Sequence, residues 1–231
     1  MKTILRWCGY AILLALGVVV LAQLWFAVHI WYWTDHNPRT TAFMSARLAA
    51  MREHDPKARL TQKWVTYRRI SINLKRAVVA AEDAKFTTHH GFDWDEIEKA
   101  VALNVKEGEI VRGASTITQQ LAKNLFLSGE RTWWRKGQEA LITIMLELLM
   151  SKRRILEIYL NVVEWGKGVF GAEAAARYHF GVSAARLDRE QAARLAAIVP
   201  SPRRYLPGSY TPYLAQRTAT ILARMNAVRV P

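Results

Sequence analysis

The sequence predicts a mainly α-helical domain carried on a single N-terminal transmembrane helix. Three observations lead there. An uncharged apolar run opens the chain, apolar positions beyond residue 70 recur at helical spacing, and neither an alternating strand pattern nor a repeat stands out. The apolar run extends from Cys8 to Trp33 without Asp, Glu, Lys or Arg, with His29 as its one strongly polar interruption. At about 1.5 Å per residue it exceeds the roughly 30 Å hydrocarbon core of a bilayer. Trp7 and Tyr10 lie at one end and Trp25, Trp31, Tyr32 and Trp33 at the other, as interfacial aromatic belts do. A cleavable signal peptide has a shorter apolar region of about 7–15 residues and a small-residue cleavage site, for which Ala22-Gln23-Leu24 is a poor match. Residues 1–7 thus read as a short tail, 8–33 as an uncleaved anchor, 34–69 as a polar connector containing Pro38 and Pro56, and 70–231 as the domain. Lys2 and Arg6 before the span are matched by Arg39 and Arg47 after it, so charge counting leaves orientation open.

Within the domain, Leu74, Ala77, Val78 and Ala81 make an amphipathic helix that delivers Glu82 at its end. Asp93 with Glu96 reads as a helix start, followed by Ile97, Ala100 and Val101 on one face. Ser115 is placed to cap a helix carrying Ile117, Leu121 and Leu125. After Ala140 the stretch to Met150 is apolar at nearly every position, as in a buried or membrane-facing helix. Ser151 opens a helix through Tyr159, and Gly181 closes one through His179. Asp188 with Gln191 caps another that Pro200 stops, and Thr211-Pro212 begins the last, which uses Leu214, Ile221, Leu222 and Met225.

Composition narrows the partners. Lys and Arg number 33 against 19 Asp and Glu, a formal net charge of +14, which points to a nucleic acid, an anionic lipid surface or a phosphorylated substrate. The single cysteine, Cys8, excludes an intramolecular disulfide and makes thiolate zinc ligation implausible.

The chemistry-bearing residues fall in three blocks. Ala81-Glu82-Asp83-Ala84-Lys85-Phe86-Thr87-Thr88-His89-His90-Gly91 crowds acids, histidines and a glycine together. Gly113-Ala114-Ser115-Thr116-Ile117-Thr118-Gln119-Gln120-Leu121-Ala122-Lys123-Asn124 follows, and then Arg135-Lys136-Gly137-Gln138-Glu139. No third ligand accompanies the His89–His90 pair, so a metal there is discounted. Arg112, Lys123, Arg131, Arg135 and Lys136 face a single acid, Glu130, between positions 112 and 136.

In order and spacing these blocks resemble the peptidoglycan glycosyltransferase family over roughly residues 65–210. The later blocks, Lys152 to Asn161 and Gly171 to Gly181, match as well and read as architectural. The resemblance implies a lysozyme-like, two-lobed helical fold and polymerisation of lipid II into glycan strands, with lipid pyrophosphate released. It implies that Glu82 is the base on the acceptor hydroxyl, that Asp83 supports it, and that Glu139 acts near the donor pyrophosphate by ordering Arg and Lys or holding a metal ion. Lys123, Arg131, Arg135 and Lys136 match positions that contact the donor phosphates. Ser115, Thr116, Gln119 and Gln120 match a polar wall, and His89, Phe86 and Gly91 complete the first motif. A divalent cation (Mg or Mn) at the pyrophosphate is compatible with the family. The implied partners are lipid II, the growing strand, membrane lipid and other cell-wall synthesis proteins, with no nucleic acid. The implied location is the bacterial inner membrane, with the domain on the periplasmic side.

Such chemistry asks for few groups. Pyrophosphate leaves as a stabilised anion, so the protein must take a proton from the attacking hydroxyl and neutralise charge on the phosphates. Ala114, Ala84 and Val182 depart from the usual pattern without removing a motif acid or phosphate ligand. No Ser-x-x-Lys motif is present and the chain ends soon after the last matched helix, so the expectation is a monofunctional enzyme without transpeptidase activity. Two rival classes are a lytic enzyme on finished glycan, which has no use for the basic cluster, and a non-catalytic binder of anionic polymer, which would be indifferent to Glu82.

Overall fold

The structure, a computed structural model, describes residues 2–108, 113–127, 132–209 and 211–231. Helix α1 spans Lys2–Tyr32, and its stretch Arg6–Tyr32 is long and apolar enough to cross a membrane, with a mean hydropathy of 2.5 over an 18-residue window. Its N-terminal two thirds expose Leu13, Leu14, Val18 and Leu21, while Ile30 is fully buried and Phe26 and Trp33 pack against the core. The expected boundary at Trp33 is therefore shared: the last turns of the anchor belong to the domain.

The segment expected to be a polar connector is folded onto the domain. Thr41 caps helix α2 (Ala42–Arg52) and Met44 is buried in the core. Arg47 on α2 pairs with the buried Glu164 (3.1 Å). Strand β1 (Thr61–Gln62) runs parallel to β3 (Val169–Phe170), which pairs antiparallel with β2 (Glu164–Gly166) across an irregularity between Glu164 and Gly166. Strands of two or three residues carry no period that a sequence reading would detect. Asn161 fastens this corner, since its side chain accepts from Val65 N (2.9 Å) and donates to Val65 O (2.9 Å). Gly171 (φ +82°) is required there, because a Cβ would stand 2.7 Å from the Asn161 carbonyl.

The helices that position the site begin and end largely where the residues direct. Helix α3 (Ile72–Glu82) ends at Glu82, and Asp93 accepts from Glu96 N at the start of α4 (Trp94–Glu107). Helix α5 (Ile117–Phe126) starts one residue later than expected. Thr116, not Ser115, is its cap, because Gln119 completes a reciprocal capping box with Thr116. Helix α6 (Trp133–Leu149) is one-sided: Glu139, Ile142, Thr143 and Leu146 are buried, while Leu141, Ile144, Leu148 and Leu149 are exposed. Ser151 caps α7 (Lys152–Val162), which runs a turn longer than expected. Gly181 closes α8 (Ala172–Phe180), a capping box opens α9 (Arg189–Ile198), and Thr211 caps α10 (Pro212–Arg224).

These elements form two packed groups. Helices α3, α9 and α10 pack together, and α5 packs against α2, α6 and α7, with α1 laid on α6. One hydrophobic core, including Leu74, Val78, Leu121, Ile142, Ile158 and Trp165, runs through both.

Candidate active site

Glu82 stands where the two groups meet. Helix α3 brings it to the wall of a groove of about 730 Å³, lined also by Asp83, Lys85, Ser115, Thr116, Gln120, Tyr213 and Arg217. Its side chain is 9% exposed. Gln120 Nε2 donates to Glu82 Oε2 (2.9 Å), and Arg217 donates to Glu82 Oε1 (3.1 Å). Burial raises the pKa of Glu82 above the ordinary carboxylate range. The Gln120 hydrogen bond and the Arg217 charge pull it back down, and Asp83 pushes it further up. A carboxylate in that position accepts a proton more readily than one in water.

Asp83 lines the same groove, but both of its carboxylate oxygens are engaged elsewhere. It accepts from His89 Nε2 through Oδ1 (2.8 Å) and from the backbone N–H of Ile117, the first residue of α5, through Oδ2 (3.0 Å). A carboxylate at a helix N-terminus satisfies an otherwise orphaned donor and favours the helix dipole. Asp83 thereby ties the end of α3 to the start of α5, which carries Gln120. His89 lies behind it, outside the groove.

Thr116 and Gln119 are occupied with structure. Thr116 Oγ1 donates to Gly91 O (2.7 Å), and Gln119 Oε1 accepts from Thr116 N (3.0 Å). Gln119 is buried and does not line the groove, so the polar wall consists of Ser115, Thr116 and Gln120. Behind it Thr118 donates to Glu147 (2.5 Å), which also holds Lys152 (2.8 Å).

A second groove of about 400 Å³ adjoins the first, sharing Gln120 and Pro200 with it. Lys123, Arg47, Arg203 and Arg204 line it, with Glu164 as the one acid. Phosphate-sized anions fit such a wall, because charge-assisted bonds from Arg and Lys are the strong ones.

Glu139 is 3% exposed on α6, within contact of Lys136 and 3.5 Å from Arg135. This cluster lines neither groove. The carboxylate already carries two cations, and no three His, Cys, Asp or Glu side chains gather among the described residues. Arg131, like Arg112 and Glu130, lies outside the described residues.

Sequence reasoning missed Arg217 and Tyr159. Tyr159, fully buried on α7, donates from its hydroxyl to Gln120 Oε1 (2.9 Å). Arg217 had a signal: it falls three residues after Leu214 and four before Ile221, on the buried stripe of α10. Arg47 lay in the stretch taken as a connector.

The family model described as transglycosylase matches residues 49–226. The chain is 56% identical over 226 residues to the biosynthetic peptidoglycan transglycosylase of Nitrosospira multiformis, covering 98% of each. It is 58% identical over 227 residues, again 98% of each, to that of Methylobacillus flagellatus. Over 231 residues and the whole of both chains it is 54% identical to that of Janthinobacterium sp. (strain Marseille).

Proposed function

The chain belongs to the transglycosylase family and builds peptidoglycan, and from that premise we propose that it polymerises lipid II with Glu82 as the base. The 4-hydroxyl of the acceptor sugar loses its proton to Glu82 as its oxygen bonds to C1 of the donor. The bond from C1 to the pyrophosphate oxygen breaks, and undecaprenyl pyrophosphate leaves with the electron pair. Attack opposite the leaving group converts an α-linked donor into a β-1,4 link.

The observation that carries this reading is the join at Gln120 and Pro200. There the groove holding a desolvated carboxylate shares two lining residues with one walled by Lys123, Arg47, Arg203 and Arg204. Base and pyrophosphate cations are thus adjacent. Outside the two grooves Glu139 keeps Arg135 and Lys136 ordered as further cations for the donor phosphates, and Ser115 faces sugar oxygens. The domain lies on the periplasmic side of the inner membrane, where strands are assembled, held by α1, the one helix among the described residues long and apolar enough to span it.

Purified protein in detergent micelles, given labelled lipid II, tests the assignment. Wild type forms long strands. Glu82→Gln retains shape and hydrogen bonding without basicity and lowers turnover by roughly 10²–10⁴-fold. Near-normal polymerisation by that variant would overturn it.

A further inference from the structure

Gln120 can present either end of its amide to Glu82, and the two ends have opposite effects. The NH₂ end stabilises an ionised carboxylate, and the carbonyl end stabilises a protonated one by accepting its O–H. Something must select between them.

Tyr159 is in position to do so. It is fully buried on α7, and its hydroxyl donates to Gln120 Oε1 (2.9 Å) while Gln120 Nε2 donates to Glu82 (2.9 Å). An amide whose oxygen is engaged on one side has only N–H to offer on the other. We propose that Tyr159 is a positioning residue: its hydroxyl locks the Gln120 amide so that Nε2 faces Glu82 and holds that carboxylate in its proton-accepting form. Burial, with Glu82 and Asp83 nearby, pushes the Tyr159 phenol well above its ordinary pKa, so the donor persists throughout the working pH range.

The other groups acting on Glu82 do not perform this selection. Arg217 on α10 supplies charge to Oε1, and Asp83 on its own helix end is engaged with His89 and Ile117. Lys85, Asp93, Glu96 and Arg224 line the same groove, and the charged residues of α9, which packs on α3, do not. Only the α7–α5 chain from Tyr159 through Gln120 carries a directional choice.

The inference rests on Glu82 being the base, and the test separates the two. Full-length protein in micelles is labelled with ¹³C-glutamate, and the Glu82 carboxyl resonance is identified by its absence from Glu82→Gln. In Tyr159→Phe, which keeps the ring and removes the lock, the Glu82 titration midpoint rises by roughly half to one pH unit. The acid limb of the rate profile moves with it, while the rate at high pH, where Glu82 is ionised in both proteins, stays within about threefold. Gln120→Met, similar in shape but without a donor, raises the midpoint at least as far, and adding Tyr159→Phe to it changes nothing more.

An unmoved midpoint in Tyr159→Phe, or a further shift in the double variant, would mean that the tyrosine acts through packing alone. If Tyr159→Phe fails to fold, an unmoved midpoint in Gln120→Met refutes the proposal by itself. Should Glu82→Gln prove active, the base assignment falls, while the resonance still reports whether the amide is locked.

Discussion

Glu82 and Glu139 are buried to similar degrees, their side chains 9% and 5% exposed, yet they keep different company. Glu139 is neutralised by Arg135 and Lys136, four and three residues away on its own helix. Glu82 draws Gln120 from 38 positions away and Arg217 from 135. Burial leaves Glu82 with more affinity for a proton than water would, against the pull of one cation and one neutral amide, whereas Glu139 has two cations beside it. Glu139 and its cations need little more than a helix turn. The Glu82 site exists only after α3, α5, α7 and α10 have come together, so its chemistry depends on the whole fold.

Paired substitutions give the widest expected separation between these roles. Glu82→Gln lowers kcat by roughly 10²–10⁴-fold with donor binding little changed. Glu139→Gln loosens Arg135 and Lys136 and weakens binding of a lipid pyrophosphate analogue by about 10–100-fold. Steady-state kinetics beside direct binding distinguishes them. Matching losses in kcat with no change in binding would erase the contrast.

Lys123 sharpens the assignment of the second groove. Lys123→Ala should cost about 1.5–3 kcal/mol in binding a lipid pyrophosphate analogue, as expected for one lost charge-assisted bond. A sugar fragment lacking phosphate should bind unchanged. Equal losses for both ligands would make the lysine structural.

Gly91 joins the two glutamate regions mechanically. Its carbonyl accepts from Thr116, and a Cβ there would lie 2.8 Å from Thr143 Cγ2 and 3.1 Å from Glu147 Cγ on α6. Its φ of +88° adds a backbone cost. Gly91→Ala is therefore expected to lower stability by about 1–3 kcal/mol, read from thermal or denaturant unfolding.

The smallest expected effect is a shift in pH dependence. As the proposed base Glu82 acts ionised, and its pKa is raised, so the rate should fall on the acid side at a pH above the ordinary glutamate range. Arg217 favours the ionised form. Arg217→Ala should move that limb upward by about one pH unit. A downward or absent shift would show that the guanidinium does not govern the carboxylate.

Much of this was legible along the chain. Periodicity with the caps at Asp93, Ser151, Asp188 and Thr211 located the helices, and Leu74 to Ala81 placed Glu82 at a helix end. Capping is a local bargain, so local residues reveal it. The cap of α5 was misplaced by one because Ser115 and Thr116 are both good caps and only the reciprocal bond with Gln119 decides between them. Residues 34–69 looked like a connector because their attachment is partly polar, through Arg47 to Glu164, with few apolar anchors such as Met44 and Tyr67. The link from Tyr159 through Gln120 to Glu82 and Arg217 joins three helices to the end of a fourth, and no spacing rule connects residues so far apart in sequence.

Helix α1 also sets a height. Roughly 30 Å of hydrocarbon is consumed about twenty residues after Arg6, close to Trp25. From there the helix runs into the protein, and the ring of Phe126, which ends α5, sits against Trp25, Phe26 and Trp33 at 5.9, 5.1 and 5.2 Å. Lys123 is three residues, about one turn, before Phe126 on α5. These ring contacts thus hold the lysine of the basic groove about one turn of α5 from the end of the apolar run. On the proposed function, a lipid-linked substrate reaches those cations by sliding sideways with its tail still in the membrane, and only the sugar strand has to rise.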